Sequence, residues 1–160
     1  MHQWRSVTAK RAVPLIGAMA TVLVAGCGGG TSSQQAMTGS ARAYTQLMSA
    51  THAFARNAKS CTATSRSLAC VEAGDEVMSH AYARFAAAIA AIPMPTGDPQ
   101  TAATQVEHAA TQTSRALHAL RSSKSIAQYH IASGSSPALA DASVVQEDYG
   151  YLRQVLKTAS

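Results

Sequence analysis

The chain is short of large side chains. Two Phe, five Tyr and one Trp make up 5% of its 160 residues, and charged residues only 13%. A sheet built from aromatic and β-branched residues has little to draw on. Abundant Ala, Ser, Thr and Gln suit helices packed closely through small side chains. No run alternates apolar and polar residues with the two-residue period of a half-buried strand, and no unit recurs at a fixed length. Several chemical signatures are missing too. Gly28 to Gly30 precede neither a strand nor a helix pattern, so no glycine loop is set to cradle a phosphate. No Cys-x-x-Cys-His run offers haem attachment. Basic residues from Arg42 to Lys157 are scattered without a cluster, which leaves no electrostatic footprint for nucleic acid.

What is present is concentrated near the N-terminus. Arg5, Lys10 and Arg11 precede an apolar run from Ala12 to Ala25, broken only by Thr21 among polar residues and weakened as a helix by Pro14 and Gly17. A positive end followed by about 14 apolar residues is the order of an export signal, and it falls short of the roughly 20 residues that a spanning helix needs. The run closes on Leu23-Val24-Ala25-Gly26-Cys27. This pattern resembles the lipobox recognised by the lipoprotein signal peptidase. The resemblance implies that the Cys27 thiol receives a diacylglyceryl group and that cleavage before it makes Cys27 the first mature residue. The competing reading is a free Cys27 thiol behind a signal cut elsewhere or not at all. Two acyl chains anchor a protein stably where one holds only marginally. Gly28, Gly29, Gly30 and the small polar residues through Gln35 then read as a flexible tether. The expected organisation is a signal peptide over 1–26, a lipidated cysteine and tether over 27–35, and one domain over 36–160. Of the 13 Lys and Arg, three precede Cys27, so ten remain against eight acidic residues and the formal charge falls from +5 to +2.

With Cys27 lipidated, Cys61 and Cys70 are the natural disulfide pair in an exported domain. Nine residues on one continuous helix would hold them about 13 Å apart, beyond the 4.4 to about 6.8 Å that a disulfide spans, so the chain must turn between them. Thr62, Thr64, Ser65 and Ser67 are the helix-competing side chains for that turn. A reactive redox pair is the alternative, and it lacks the two-residue spacing of the thioredoxin motif.

Helical periodicity organises the remainder. A first helix over 36–59 carries Leu47, Ala50, Phe54, Ala58 and Cys61 on one face. A second over 68–92 carries Val71, Met78, Tyr82, Phe85, Ala86, Ile89 and Ile92, with Glu72, Asp75 and Glu76 in its opening turns to suit the helix dipole. Pro93 to Gly97 ends it. Asp98 reads as an N-cap with Pro99 at the first helical position, and Ala103, Val106, Ala110, Thr113, Leu117 and Leu120 mark a third helix. Ser125 with Gln128 resembles a capping box opening a short helix through Ile126, Tyr129 and Ile131. A last helix starts at Ser136-Pro137 and turns Val145, Tyr149, Leu152 and Leu156 inward, with a close helix crossing expected at Gly150. The expected fold is all-α, an up-and-down bundle of four long helices and one short one, stapled by one disulfide.

Candidate chemistry is sparse. The best cluster of ionisable groups is Glu72, Asp75, Glu76 and His80, of which Glu72, Glu76 and His80 step by four along one helix face, but a bundle metal site wants a Glu-x-x-His pair from each of two helices, and Glu107 has no histidine three residues later. A solvated face with a Glu76 to His80 contact is the expectation. His52, His108, His118 and His130 are dispersed at spacings that define no catalytic set. Tyr44, Tyr82, Tyr129, Tyr149 and Tyr151, with Met48 and Met78, are candidates for core packing or for the lining of an apolar pocket. The stretch from Phe85 to Pro95, preceded by Cys70-Val71-Glu72, is similar to small exported helical proteins of actinobacteria, commonly lipoproteins of unknown function. That resemblance implies a fold and a compartment and transfers no catalytic residue. The sequence therefore points to a non-enzymatic, lipid-anchored interaction or envelope-structure module on the extracytoplasmic face of a cell membrane, with a binding protein for a small apolar or lipid-like ligand as the alternative. No catalytic residue, metal ligand or cofactor is assigned. Its partners are the membrane and an envelope protein, or a small apolar ligand held in the bundle, and not nucleic acid.

Overall fold

The computed structural model of the chain describes residues 32–64, 67–140 and 143–160. The segments expected to be a signal peptide and most of a tether, with Cys27 between them, lie outside these residues. Within them the protein is all-α, with six helices and no strand: α1 Ser33–Thr64, α2 Leu68–Ala90, α3 Asp98–Leu120, α4 Ile126–Ser135, α5 Pro137–Ala140 and α6 Val144–Thr158. The four longest close into a bundle in which α1 packs on α2, α2 on α3, α3 on α6, and α6 back on α1. Short links make neighbours antiparallel. The Ser33 hydroxyl donates to the Ala159 carbonyl at 2.9 Å, so α1 begins where α6 ends. That end also holds the α2–α3 turn. The opposite end holds the α1–α2 disulfide and the α4–α5 segment that joins α3 to α6.

Each helix buries the stripe its sequence marks. Phe85 and Ile89 of α2, Val106 and Ala110 of α3, and Tyr149, Leu152 and Leu156 of α6 form the core with Leu47 of α1. At its centre Tyr44 and Tyr149 stack with ring centroids 4.1 Å apart, and Phe85 meets both edge-on at 6.0 and 6.2 Å. Elsewhere small residues let the helices approach. Ser79 and Ser114 tie α2 to α3 reciprocally, each hydroxyl donating to the other residue's carbonyl at 2.9 Å. A buried polar group satisfied in this way avoids the desolvation cost of an unmade bond.

Several boundaries differ from the sequence expectation. The first helix starts at Ser33 and runs through Thr64, not 36–59. Packing against the end of α6 and the covalent tie at Cys61 override the turn propensity of Gln34, Gln35, Thr62 and Thr64. Ser67 caps α2, its hydroxyl accepting from the Cys70 amide. No carboxylate lies in the first turn of α2, so Glu72, Asp75 and Glu76 sit too deep for the dipole, whose effect fades within one turn. Pro93 disfavours helix at Ile92, and α2 accordingly stops at Ala90. Asp98 is the first residue of α3 and not its cap. That place is taken by Gly97 at φ 90°, a conformation that favours glycine. The last helix is split into α5 and α6, helix-competing Ser143 standing in a turn just before α6. So two short helices, not one, accompany the four long ones.

The capping box at α4 forms in a shifted version: Ser125 Oγ accepts from the Gln128 amide at 3.2 Å, while Gln128 Oε1 accepts from the amide of Lys124 at 2.8 Å.

The close crossing expected at Gly150 is elsewhere. A Cβ added at Gly150 meets nothing within 4 Å, whereas one at Gly74 would lie 2.6 Å from Phe54 Cε2, so the α1–α2 crossing runs through Gly74. Alanine is preferred to glycine in a helix by about 1 kcal/mol. Gly150→Ala should therefore raise stability by about that amount. Gly74→Ala should gain nothing and lose about 1 kcal/mol or more, because overpacking against a rigid ring costs about 1–3 kcal/mol. Urea denaturation of the two variants checks both signs.

Candidate functional site

The disulfide-bearing end of the bundle contains a cleft of about 360 Å³. It exists because α1 and α2 converge on small residues. Cys61 in the last turn of α1 and Cys70 in the first turn of α2 are bridged, with Cα atoms 5.9 Å apart. In the chain-entropy account, closing a loop of about ten residues contributes roughly 2.7 kcal/mol. One helical turn further along, Gly74 admits the Phe54 ring. Phe54, Ala58, the disulfide, Val71 and Val77 give the cleft apolar walls, and Tyr129 reaches in from α4.

α4 itself buries no residue, and Ile131 on it is 72% exposed. It lies against α5 and α3, so Tyr129 is its contribution to the cleft. A wider hollow of about 550 Å³ at the other end, between Ser33, Met94 and Ser160, is open and lined mainly by small polar residues.

One side chain in the cleft is out of character. Asp75 is 4% exposed, and the Tyr129 hydroxyl lies near enough to its carboxyl to affect its titration. Its Oδ2 is buried with no hydrogen-bond partner, the one side-chain atom so placed among the described residues. Burial pushes the Asp75 carboxyl above its ordinary range, the nearby Glu72 charge adds to the rise, and the Tyr129 hydroxyl opposes it. The Tyr129 phenol is itself pushed up, first by burial and then by the nearby Asp75 carboxyl.

The sequence placed Asp75 in a solvated acidic cluster, and the structure corrects this. Glu76 is the member that behaves as expected: Glu76 Oε1 is 3.9 Å from His80 Nε2, and Arg121 Nη1 of α3 approaches it at 3.3 Å. Among the described residues, no group of three or more His, Cys, Asp or Glu is placed to hold a metal ion. His52, His80, His108, His118 and His130 are all exposed and spread over α1 to α4.

Nor do the tyrosines and methionines line a common pocket. Tyr44 and Tyr149 are stacked in the core, Met78 is buried, Tyr82 and Met48 are half-buried, and Tyr151 is exposed. Tyr129 alone of that set stands at the cleft. Asp75 was findable in the sequence, since it lies four residues after Val71 and three before Met78, on the buried stripe of α2.

The fold and cleft define a class, a disulfide-stapled four-helix bundle with an apolar recess at one end. Comparison of the chain with protein-family models, with curated proteins and with solved structures returned no match. No described helix is long and apolar enough to cross a membrane.

The raised Asp75 titration fixes the sign of a pH effect. Below the ordinary carboxyl value of 3.8 the group is protonated whether the chain is folded or not. As pH rises above it, the unfolded chain releases the proton while the folded one retains it, so the folded state binds more protons and loses stability. The facing groups are Glu72 on α2 and Tyr129 on α4. The α1 wall of Phe54, Asn57, Ala58 and disulfide-bonded Cys61 has no group that titrates near neutrality. Asp75→Asn should therefore match the wild type in melting temperature near pH 3 and exceed it at pH 7. Equal melting temperatures at both pH values would mean that Asp75 is solvated.

Proposed function

We propose that the protein is a membrane-anchored extracytoplasmic lipoprotein, non-enzymatic, that binds a small apolar ligand in the cleft between α1 and α2. The observation that carries the binding reading is a recess of about 360 Å³ with mainly apolar walls and few polar groups. Ligand sites are concave, mostly apolar and about 300–1,000 Å³ in volume. The core itself is filled by Tyr44, Phe85 and Tyr149, so the ligand belongs at the disulfide end and not along the seam. The anchor reading rests on the Leu23 to Cys27 pattern and on the positive and apolar segments before it. An interaction with an envelope protein is the second reading, favoured by the exposed Ile131 and Tyr151 side chains.

Two measurements test the reading. Intact mass spectrometry of membrane-extracted protein should show a chain that starts at Cys27 with added diacylglyceryl mass, and Cys27→Ala should move the protein to the soluble fraction. An unacylated chain in the membrane would refute the anchor. For the cleft, 3-phenylpropanol should raise the melting temperature of the wild type, since a ligand that binds only the folded state stabilises it by mass action. The cleft-filling Ala58→Phe variant should show no such rise.

A further inference from the structure

An apolar recess needs no carboxyl, yet Asp75 stands in the wall of this one at 4% exposure. Its Oδ2 is buried and has no hydrogen-bond partner. Leaving a buried acceptor unsatisfied is unfavourable, and native proteins rarely keep one without a use for it. The electrostatics around it have one sign. Glu72 lies close enough to raise the Asp75 titration, and no Lys, Arg or His lines the cleft. The same cleft is lined by the aromatic rings of Tyr129 and Phe54, and aromatic faces attract a cation. A desolvated negative group, two aromatic rings and aliphatic walls together describe the complement of one ligand chemistry.

We propose that the cleft binds a small hydrophobic amine, whose ammonium group pairs with the Asp75 carboxyl at the cleft wall and whose apolar body lies against Phe54, Ala58 and Val71. This rests on the cleft being a ligand site, and it adds the head group. The amine supplies a donor and a compensating charge, and a charge-assisted hydrogen bond in a low-dielectric recess is stronger than a neutral one. An anionic amphiphile would face Asp75 and Glu72 with like charge and be rejected, and an alcohol would lack the charge.

The test is a titration of the full-length protein, reconstituted in nanodiscs at pH 7, with 3-phenylpropylamine, 3-phenylpropanol and 3-phenylpropanoate, using empty nanodiscs as the blank. The amine is expected to bind at least ten-fold more tightly than the alcohol, and the carboxylate more weakly than either. Asp75→Asn should reduce the amine to the affinity of the alcohol while leaving the alcohol unchanged. Glu76→Gln, which alters an exposed carboxylate on the same helix, should keep the preference. Circular dichroism confirms that both variants are folded. Equal binding of amine and alcohol to the wild type, or an amine preference that survives Asp75→Asn, would overturn the head-group assignment and leave the cleft as an apolar site. Failure of all three probes to bind would overturn the cleft reading along with it.

Discussion

Two stacked tyrosines set the girth of this bundle. Most of its seam is alanine and serine, which allow helices to approach but cover little apolar area, and the hydrophobic contribution scales with area removed from water at roughly 25 cal/mol per Å². Tyr44 from α1 and Tyr149 from α6 close the widest part of the interior, with Phe85 of α2 edge-on to both. Aromatic side chains bury about 150–250 Å² each, so three of them change the balance of a core otherwise made of small residues. Val106 and Leu152, both fully buried, complete it. The cleft lies beyond this filled centre, at the disulfide end of the bundle.

The stripes were legible in the sequence because burial repeats every three to four residues whether or not the helix ends are known. Val145, Tyr149, Leu152 and Leu156 all turn inward as their spacing requires. The disulfide was legible from cysteine arithmetic and the geometry of a helix. Helix ends were less so, because they are settled by contacts between residues far apart in the chain. Ser33 is held by Ala159, 126 residues away, and no local pattern announces that. Gly150 and Gly74 show the same limit: both are glycines inside helices, and only the neighbouring helix decides that Gly74 is the crossing.

The candidate site was legible in part. Phe54, Ala58, Cys61 and Val71 were placed on facing stripes, so convergence of α1 and α2 near the disulfide followed from the sequence. Asp75 was grouped with Glu72 and Glu76 by type, although its position on the stripe separates it from them. Charge similarity along a helix hides the roughly 100° per residue that sends one carboxyl inward and its neighbours out. Tyr129 was among the pocket candidates, but its place beside Asp75 was out of reach for another reason. It stands on α4, a helix with no buried residue, and its meeting with Asp75 depends on how the connection from α3 to α6 folds over the end of the bundle.

Helix α1 has 32 residues, and at about 1.5 Å per residue its Ser33 end lies roughly 30–40 Å from the level of Phe54 and Cys61. The chain enters at the Ser33 end. If it is held there by acyl chains on Cys27, the bundle works as a rigid stalk that lifts its recess clear of the lipid headgroups. A molecule dissolved in the bilayer could not slide into it sideways. Held upright, the recess would instead sample whatever diffuses past at arm's length from the surface.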